Sequence, residues 1–128
     1  RHLVIHAEDG MDEISVRTPT TLLEYQSGKR STWKLDPEEY DLAHTSLETI
    51  LVNSPEESLN IGLQVLAGEK GCGRDIVCLN AAAAIYCSQD DLSYSEALIR
   101  AEQSIDSGKA LRAFHRLQKL SSMEHPTS

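Results

Sequence analysis

Apolar residues come first in short runs and alternating patterns, and from residue 54 onward at helical spacing. Leu3-Val4-Ile5 is aliphatic and β-branched, and reads as an inner strand buried on both faces. Thr21-Leu22-Leu23-Glu24-Tyr25 and Ser31-Thr32-Trp33-Lys34-Leu35 flank Gln26-Ser27-Gly28-Lys29-Arg30. Their alternation and the central glycine predict a hairpin with a loop of several residues. Asp36-Pro37-Glu38-Glu39 has an N-cap, a proline at the first helical position and acidic first-turn residues. Residues 40–53 read as loop plus a short helix.

Ser54-Pro55-Glu56-Glu57 repeats the helix-start signal, and Leu59, Gly62, Leu63 and Leu66 then form one apolar face, ending near Gly68. Asp75 to Tyr86 is apolar almost all round and contains four consecutive alanines, which predicts a central buried helix. Ser93-Tyr94-Ser95-Glu96 carries a capping box, behind which Ala97, Leu98, Ala101 and Ile105 share a face. Ser107-Gly108 breaks or thins that helix, and Leu111, Phe114 and Leu117 continue an apolar face beyond it. Residues 121–128 include Pro126 and read as a frayed tail. Strands followed by about four helices make an α+β order when taken alone. The leading strand, however, calls for partners on both edges.

A chain of 128 residues suits one domain with a core, and 40% apolar with 25% charged residues is ordinary for a globular protein. The net charge of −8 argues against a nucleic-acid surface, which needs clustered Lys and Arg. No apolar run has membrane-spanning length, and none serves as a secretory signal. The sequence opens on Arg1, almost inside a strand, and so reads as a fragment of a longer protein. The three cysteines, Cys72, Cys78 and Cys87, have no paired spacing, which fits a reducing cytoplasm.

Candidate chemistry concentrates in His6-Ala7-Glu8-Asp9-Gly10-Met11-Asp12-Glu13-Ile14-Ser15. Asp9-Gly10 is a turn signal, so four carboxylates gather at the C-terminal end of the first strand, the end where open α/β sheets bind ligands. That much negative charge is unfavourable without a cation, and Mg²⁺ is commonly held by one or two carboxylates plus substrate phosphates. Asp12 and Glu13 are adjacent and serve one ion only at a turn, or two ions with a phosphate between. Composition alone favours a solvated acidic loop. Gly68-Glu69-Lys70-Gly71-Cys72-Gly73 lacks the Lys and Ser/Thr of a P-loop and has a helix before it, so a plain helix-to-helix connection is the better reading. Asn80, a polar amide in an apolar helix, either orients a catalytic loop or satisfies core backbone groups, the second being favoured. The five histidines show no metal spacing, and His6 reads as a strand-end residue beside the acidic stretch.

The acidic stretch, together with Leu66-Ala67-Gly68-Glu69, Asn80-Ala81-Ala82-Ala83-Ala84-Ile85-Tyr86 and Ile105-Asp106-Ser107-Gly108-Lys109-Ala110-Leu111, resembles anthranilate phosphoribosyltransferase. The match is strong over residues 2–15 and 56–111 and looser over 20–53. It implies a nucleoside phosphorylase/phosphoribosyltransferase-type α/β fold: a strand, a hairpin, then a cluster of helices. Residues 1–120 would form the C-terminal portion of the catalytic domain and 121–128 a tail. The family's phosphate-binding loop, anthranilate-holding arginine and helical N-terminal domain, which forms its homodimer interface, would lie upstream. Ala7 stands where the family pattern has Gly.

That resemblance implies phosphoribosyl transfer from phosphoribosyl pyrophosphate to anthranilate, in tryptophan biosynthesis, with Asp12 and Glu13 matching the family's magnesium ligands. No side chain reads as a covalent nucleophile, and the fragment is expected to be inactive alone. A different class stays open: a non-catalytic α/β interaction domain with an acidic surface. Pyrimidine nucleoside phosphorylases share the architecture, but would not require the Asp-Glu pair.

Overall fold

In the computed structural model, residues 1–124 are described. β1 (His2–Ala7), β2 (Thr20–Gln26) and β3 (Lys29–Leu35) form one antiparallel sheet in the order β1-β2-β3. β1 pairs with β2 from His2↔Tyr25 to Ala7↔Thr20. β2 pairs with β3 from Thr20↔Leu35 to Gln26↔Lys29. The hairpin is therefore tighter than expected, because the ladder runs through Gln26 and Lys29 and leaves only Ser27 and Gly28 to turn. Both have positive φ, 51° and 75°, the conformation whose twist matches that of the flanking strands.

The doubly buried inner strand expected at Leu3-Val4-Ile5 is corrected. Among the described residues β1 is an edge strand paired only with β2. Leu3 and Ile5 pack on the core, whereas Val4 is 66% exposed. Successive strand side chains point to opposite faces, and among the described residues only one face of this sheet is covered by helices.

Four helices follow: α1 (Pro55–Leu66), α2 (Cys72–Ser88), α3 (Tyr94–Asp106) and α4 (Lys109–Glu124). Short 3₁₀ turns at Pro37–Tyr40 and Glu48–Ile50 interrupt the connection before them. The predicted starts hold: Asp36 accepts from Glu38 N–H, Ser54 from Glu57 N–H, and Ser93 and Glu96 form the full capping box. α2 is the central element. Between Cys72 and Cys87 only Val77 and Ala84, seven residues apart on one stripe, are exposed. α3 buries Ala97, Leu98, Ala101 and Ile105, as its spacing predicts.

α1 departs from its reading. Its buried residue is Val65, with Ile61 half-buried on the same side, while Leu59 is 47% exposed and Gly62 also faces solvent. α2 takes the opposite stripe because Gly73 lets the helices close together; a Cβ there would sit 3.3 Å from methyls of Val65 and Ile50. Gly108, at φ +74°, separates α3 from α4. Leu117, assigned to an apolar face, is 64% exposed. α4 continues as helix through residues 121–124, within the stretch expected to fray, and residues 125–128 lie outside the described residues.

The core joins the sheet's inner face to α2 and α3 through Leu22, Leu35, Leu79, Ala97 and Ile14. Trp33, Tyr40, Tyr86 and Tyr94 add edge-on aromatic contacts at centroid distances of 5.6–6.1 Å. Buried charge is paired. Glu24 accepts from Trp33 Nε1 at 2.9 Å and from the Tyr86 hydroxyl at 2.8 Å, and lies 3.1 Å from Arg1 Nε. Burial, reinforced by Glu24, pushes the Tyr86 hydroxyl up to about 12. Arg74 meets Asp106 through both terminal guanidinium nitrogens, Nη1 and Nη2, at 2.8 and 3.0 Å, and holds that carboxyl below its usual range. No helix among the described residues is long and apolar enough to cross a membrane.

Candidate functional site

The acidic stretch becomes the loop between β1 and β2, and its base is closed by the ladder. Ala7 pairs with Thr20, and Glu8 N–H donates to Pro19 O at 3.0 Å. Ala7 is fully buried at the end of β1, so its methyl is accommodated in the core. The turn forms at Gly10, φ +82°, whose N–H donates to Ala7 O at 3.0 Å.

The four carboxylates are sorted by their partners. Glu8 lies 2.6 Å from Lys34 Nζ on β3, at the surface. Asp9 turns into the loop: Oδ2 accepts from the Ser15 hydroxyl at 2.7 Å and Oδ1 from Met11 N–H at 3.3 Å. Asp9 N–H in turn donates to Thr18 Oγ1 at 3.2 Å. Asp12 and Glu13 are both exposed, and neither has an ion-pair partner among the described residues.

Immediately after the pair the loop dives into the core. Ile14, Ser15 and Val16 are fully buried. Their backbone groups find partners on other elements. Ile14 N–H donates to Asn80 Oδ1 at 2.9 Å, and Asn80 Nδ2 donates to Ile14 O at 3.0 Å. Ser15 N–H donates to Thr20 Oγ1 at 3.2 Å. Val16 O accepts from His44 N–H at 2.7 Å, and the His44 ring reaches Asp75 on α2 at 2.7 Å.

Two carboxylates thus stay available on a loop whose return leg is fixed to α2. Among the described residues no group of three or more His, Cys, Asp or Glu side chains is placed to hold a metal ion. The donor set therefore fits an ion that keeps water and takes its remaining oxygens from phosphate, as Mg²⁺ does, and not one caged by protein alone. His6 is exposed on β1, away from the helices. The glycine stretch joins α1 to α2, as read, through Gly68 to Gly71, while Cys72 and Gly73 already belong to the first turn of α2. It borders an open cleft of about 430 Å³, lined also by His44, Thr49 and Ile61, to which Asp12 and Glu13 do not contribute. Sequence reasoning missed the inward role of Asp9 and the part played by Ser15, Thr18, Thr20 and His44. A Ser/Thr-rich return leg is the signal that was available.

The chain is similar to an anthranilate phosphoribosyltransferase of Legionella pneumophila (strain Paris), 48% identical over 120 residues, which are 94% of this chain and 35% of that protein. It spans about a third of the length of the curated relatives it matches. Among solved structures, the anthranilate phosphoribosyltransferase from Thermus thermophilus superposes with a TM-score of 0.78 at 32% identity, covering 91% of this chain and 34% of that one. The Saccharomyces cerevisiae enzyme in complex with PRPP and Mg gives 0.74 at 27%, and in complex with 4-fluoroanthranilate 0.75 at 28%. Both cover 88% of this chain and 33% of theirs. These superpositions show a shared fold, and the family pattern that matches across residues 1–111 gives the conclusion its name: the chain belongs to the glycosyl transferase family, a/b domain.

Proposed function

We propose that this chain is the magnesium-bearing part of an anthranilate phosphoribosyltransferase, which transfers the phosphoribosyl group of phosphoribosyl pyrophosphate to the amine of anthranilate and releases pyrophosphate. The observation that carries this reading is the pair Asp12-Glu13, left free while Glu8 and Asp9 are engaged, on a loop of a chain 48% identical to such an enzyme. When bound, Mg²⁺ neutralises the charge that grows on the leaving pyrophosphate. Asp12 and Glu13 would hold the ion through their exposed carboxylates. Asp9 and Ser15 keep the two legs of the loop together, so that the pair presents a fixed site rather than a mobile one. The amine attacks the ribose carbon directly, and no residue of this chain is asked to form a covalent bond. The acceptor and the ribose phosphate are gripped by parts of the longer protein.

The test is made in the longer protein carrying this chain. Asp12→Asn and Glu13→Gln should each lower kcat/KM by about 100-fold or more and raise the Mg²⁺ concentration needed for half activity. Parent-like rates and parent-like Mg²⁺ dependence in both variants would remove the metal role.

A further inference from the structure

Asn80 sits in the middle of α2, 66 residues from Ile14 in sequence, yet its amide makes both bonds that a neighbouring strand would make to Ile14. The Oδ1 accepts from Ile14 N–H, and Nδ2 donates to Ile14 O. Nδ2 also donates to Ile76 O, one turn back on α2, at 2.9 Å, which fixes the rotation of the amide. Ile14 is fully buried, so without Asn80 both of its backbone groups would lose their partners in a place water does not reach. Ile14 is also the residue peptide-bonded to Glu13. The clamp therefore acts at the point where the exposed acidic pair meets the buried return leg. The next anchors, Thr20 on Ser15 and His44 on Val16, lie further along the chain.

We infer that Asn80 is the positioning residue of the Asp12-Glu13 pair: by clamping the Ile14 peptide to α2 it fixes where the two carboxylates stand, and so sets metal affinity without touching the metal. This rests on the metal reading of the pair proposed above. Groups that orient ligands from behind commonly change metal affinity by about 10–100-fold when removed. A merely structural asparagine would move stability and leave affinity alone.

The experiment titrates Mn²⁺, as a spectroscopic probe, into the longer protein in the presence of inorganic pyrophosphate, and follows free Mn²⁺ by electron paramagnetic resonance. Asn80→Ala removes the amide and leaves a gap; Asn80→Leu removes it while keeping the volume and a strong helix former, and serves if the first variant folds poorly. Both should weaken Mn²⁺ binding by about tenfold or more. The Mg²⁺ concentration for half activity should rise by the same factor, with the KM for anthranilate unchanged. Parent-like Mn²⁺ binding in a folded Asn80 variant, alongside lost binding in Asp12→Asn and Glu13→Gln, would overturn the positioning role and leave the metal site standing. Parent-like binding in the acidic-pair variants themselves would instead remove the metal site, and this inference with it.

Discussion

Glu8 and Asp9 are neighbours in sequence with the same chemistry, and the fold gives them opposite tasks. Glu8 meets Lys34 across the sheet with both side chains well exposed, 44% and 63%. Such a pair contributes about 0–1 kcal/mol. Asp9 accepts two hydrogen bonds inside the loop, and bonds to a charged acceptor are worth about 1.5–3 kcal/mol each. Asp9→Ala should therefore destabilise the protein by roughly 2 kcal/mol or more in urea unfolding, and Glu8→Gln by less than about 1 kcal/mol. Equal costs would mean that the loop is not held by Asp9. The turn itself was legible, since a glycine at positive φ is a local requirement. The sorting of the acids was not, because Ser15, Thr18 and Lys34 reach them only once the chain has folded back.

At the scale of elements, legibility tracks how many apolar stripes a helix carries. α3 has one, so spacing identified its buried face correctly. α1 has two: Leu59, Leu63 and Leu66 on one side, Ile61 and Val65 on the other. Periodicity cannot rank two stripes. Close approach at Gly73 selects the second, and that glycine belongs to α2. Val65→Ala should cost about 2 kcal/mol, from two lost methyls and the gap they leave against α2. Leu59→Ala should stay within about 0.5 kcal/mol in this chain, since its side chain is half in solvent. The pair of unfolding midpoints checks which face α1 uses. The same argument explains β1. Three consecutive apolar residues suggest burial on both faces, but strand alternation sends Val4 to the side that no helix of this chain covers.

The whole molecule supplies one half of a charge balance. It has net charge −8, and the lysine beside the acidic loop, Lys34, is already paired with Glu8. On the proposed reading the substrate, phosphoribosyl pyrophosphate, is itself strongly anionic, so its phosphates need cations that the surface of the described residues does not concentrate. Mg²⁺ dehydrates reluctantly and is seldom held by two carboxylates alone. The 128-residue chain by itself should thus bind Mg²⁺ only weakly, with a dissociation constant of order 1 mM or above, and form no phosphoribosylanthranilate. Pyrophosphate added to the isolated chain should tighten binding little, because among the described residues the lysine beside the acidic loop is already paired with Glu8. On the same reading, in a protein that carries this chain at the full length of its relatives, about three times longer, the same addition should tighten binding by an order of magnitude or more, as phosphate oxygens complete the coordination of the ion. Mn²⁺ titrations of the two proteins, with and without pyrophosphate, measure this directly. If the isolated chain bound the ion tightly in the absence of any phosphate, a third protein ligand would have to exist, and the site would be caged by the protein instead of shared with substrate.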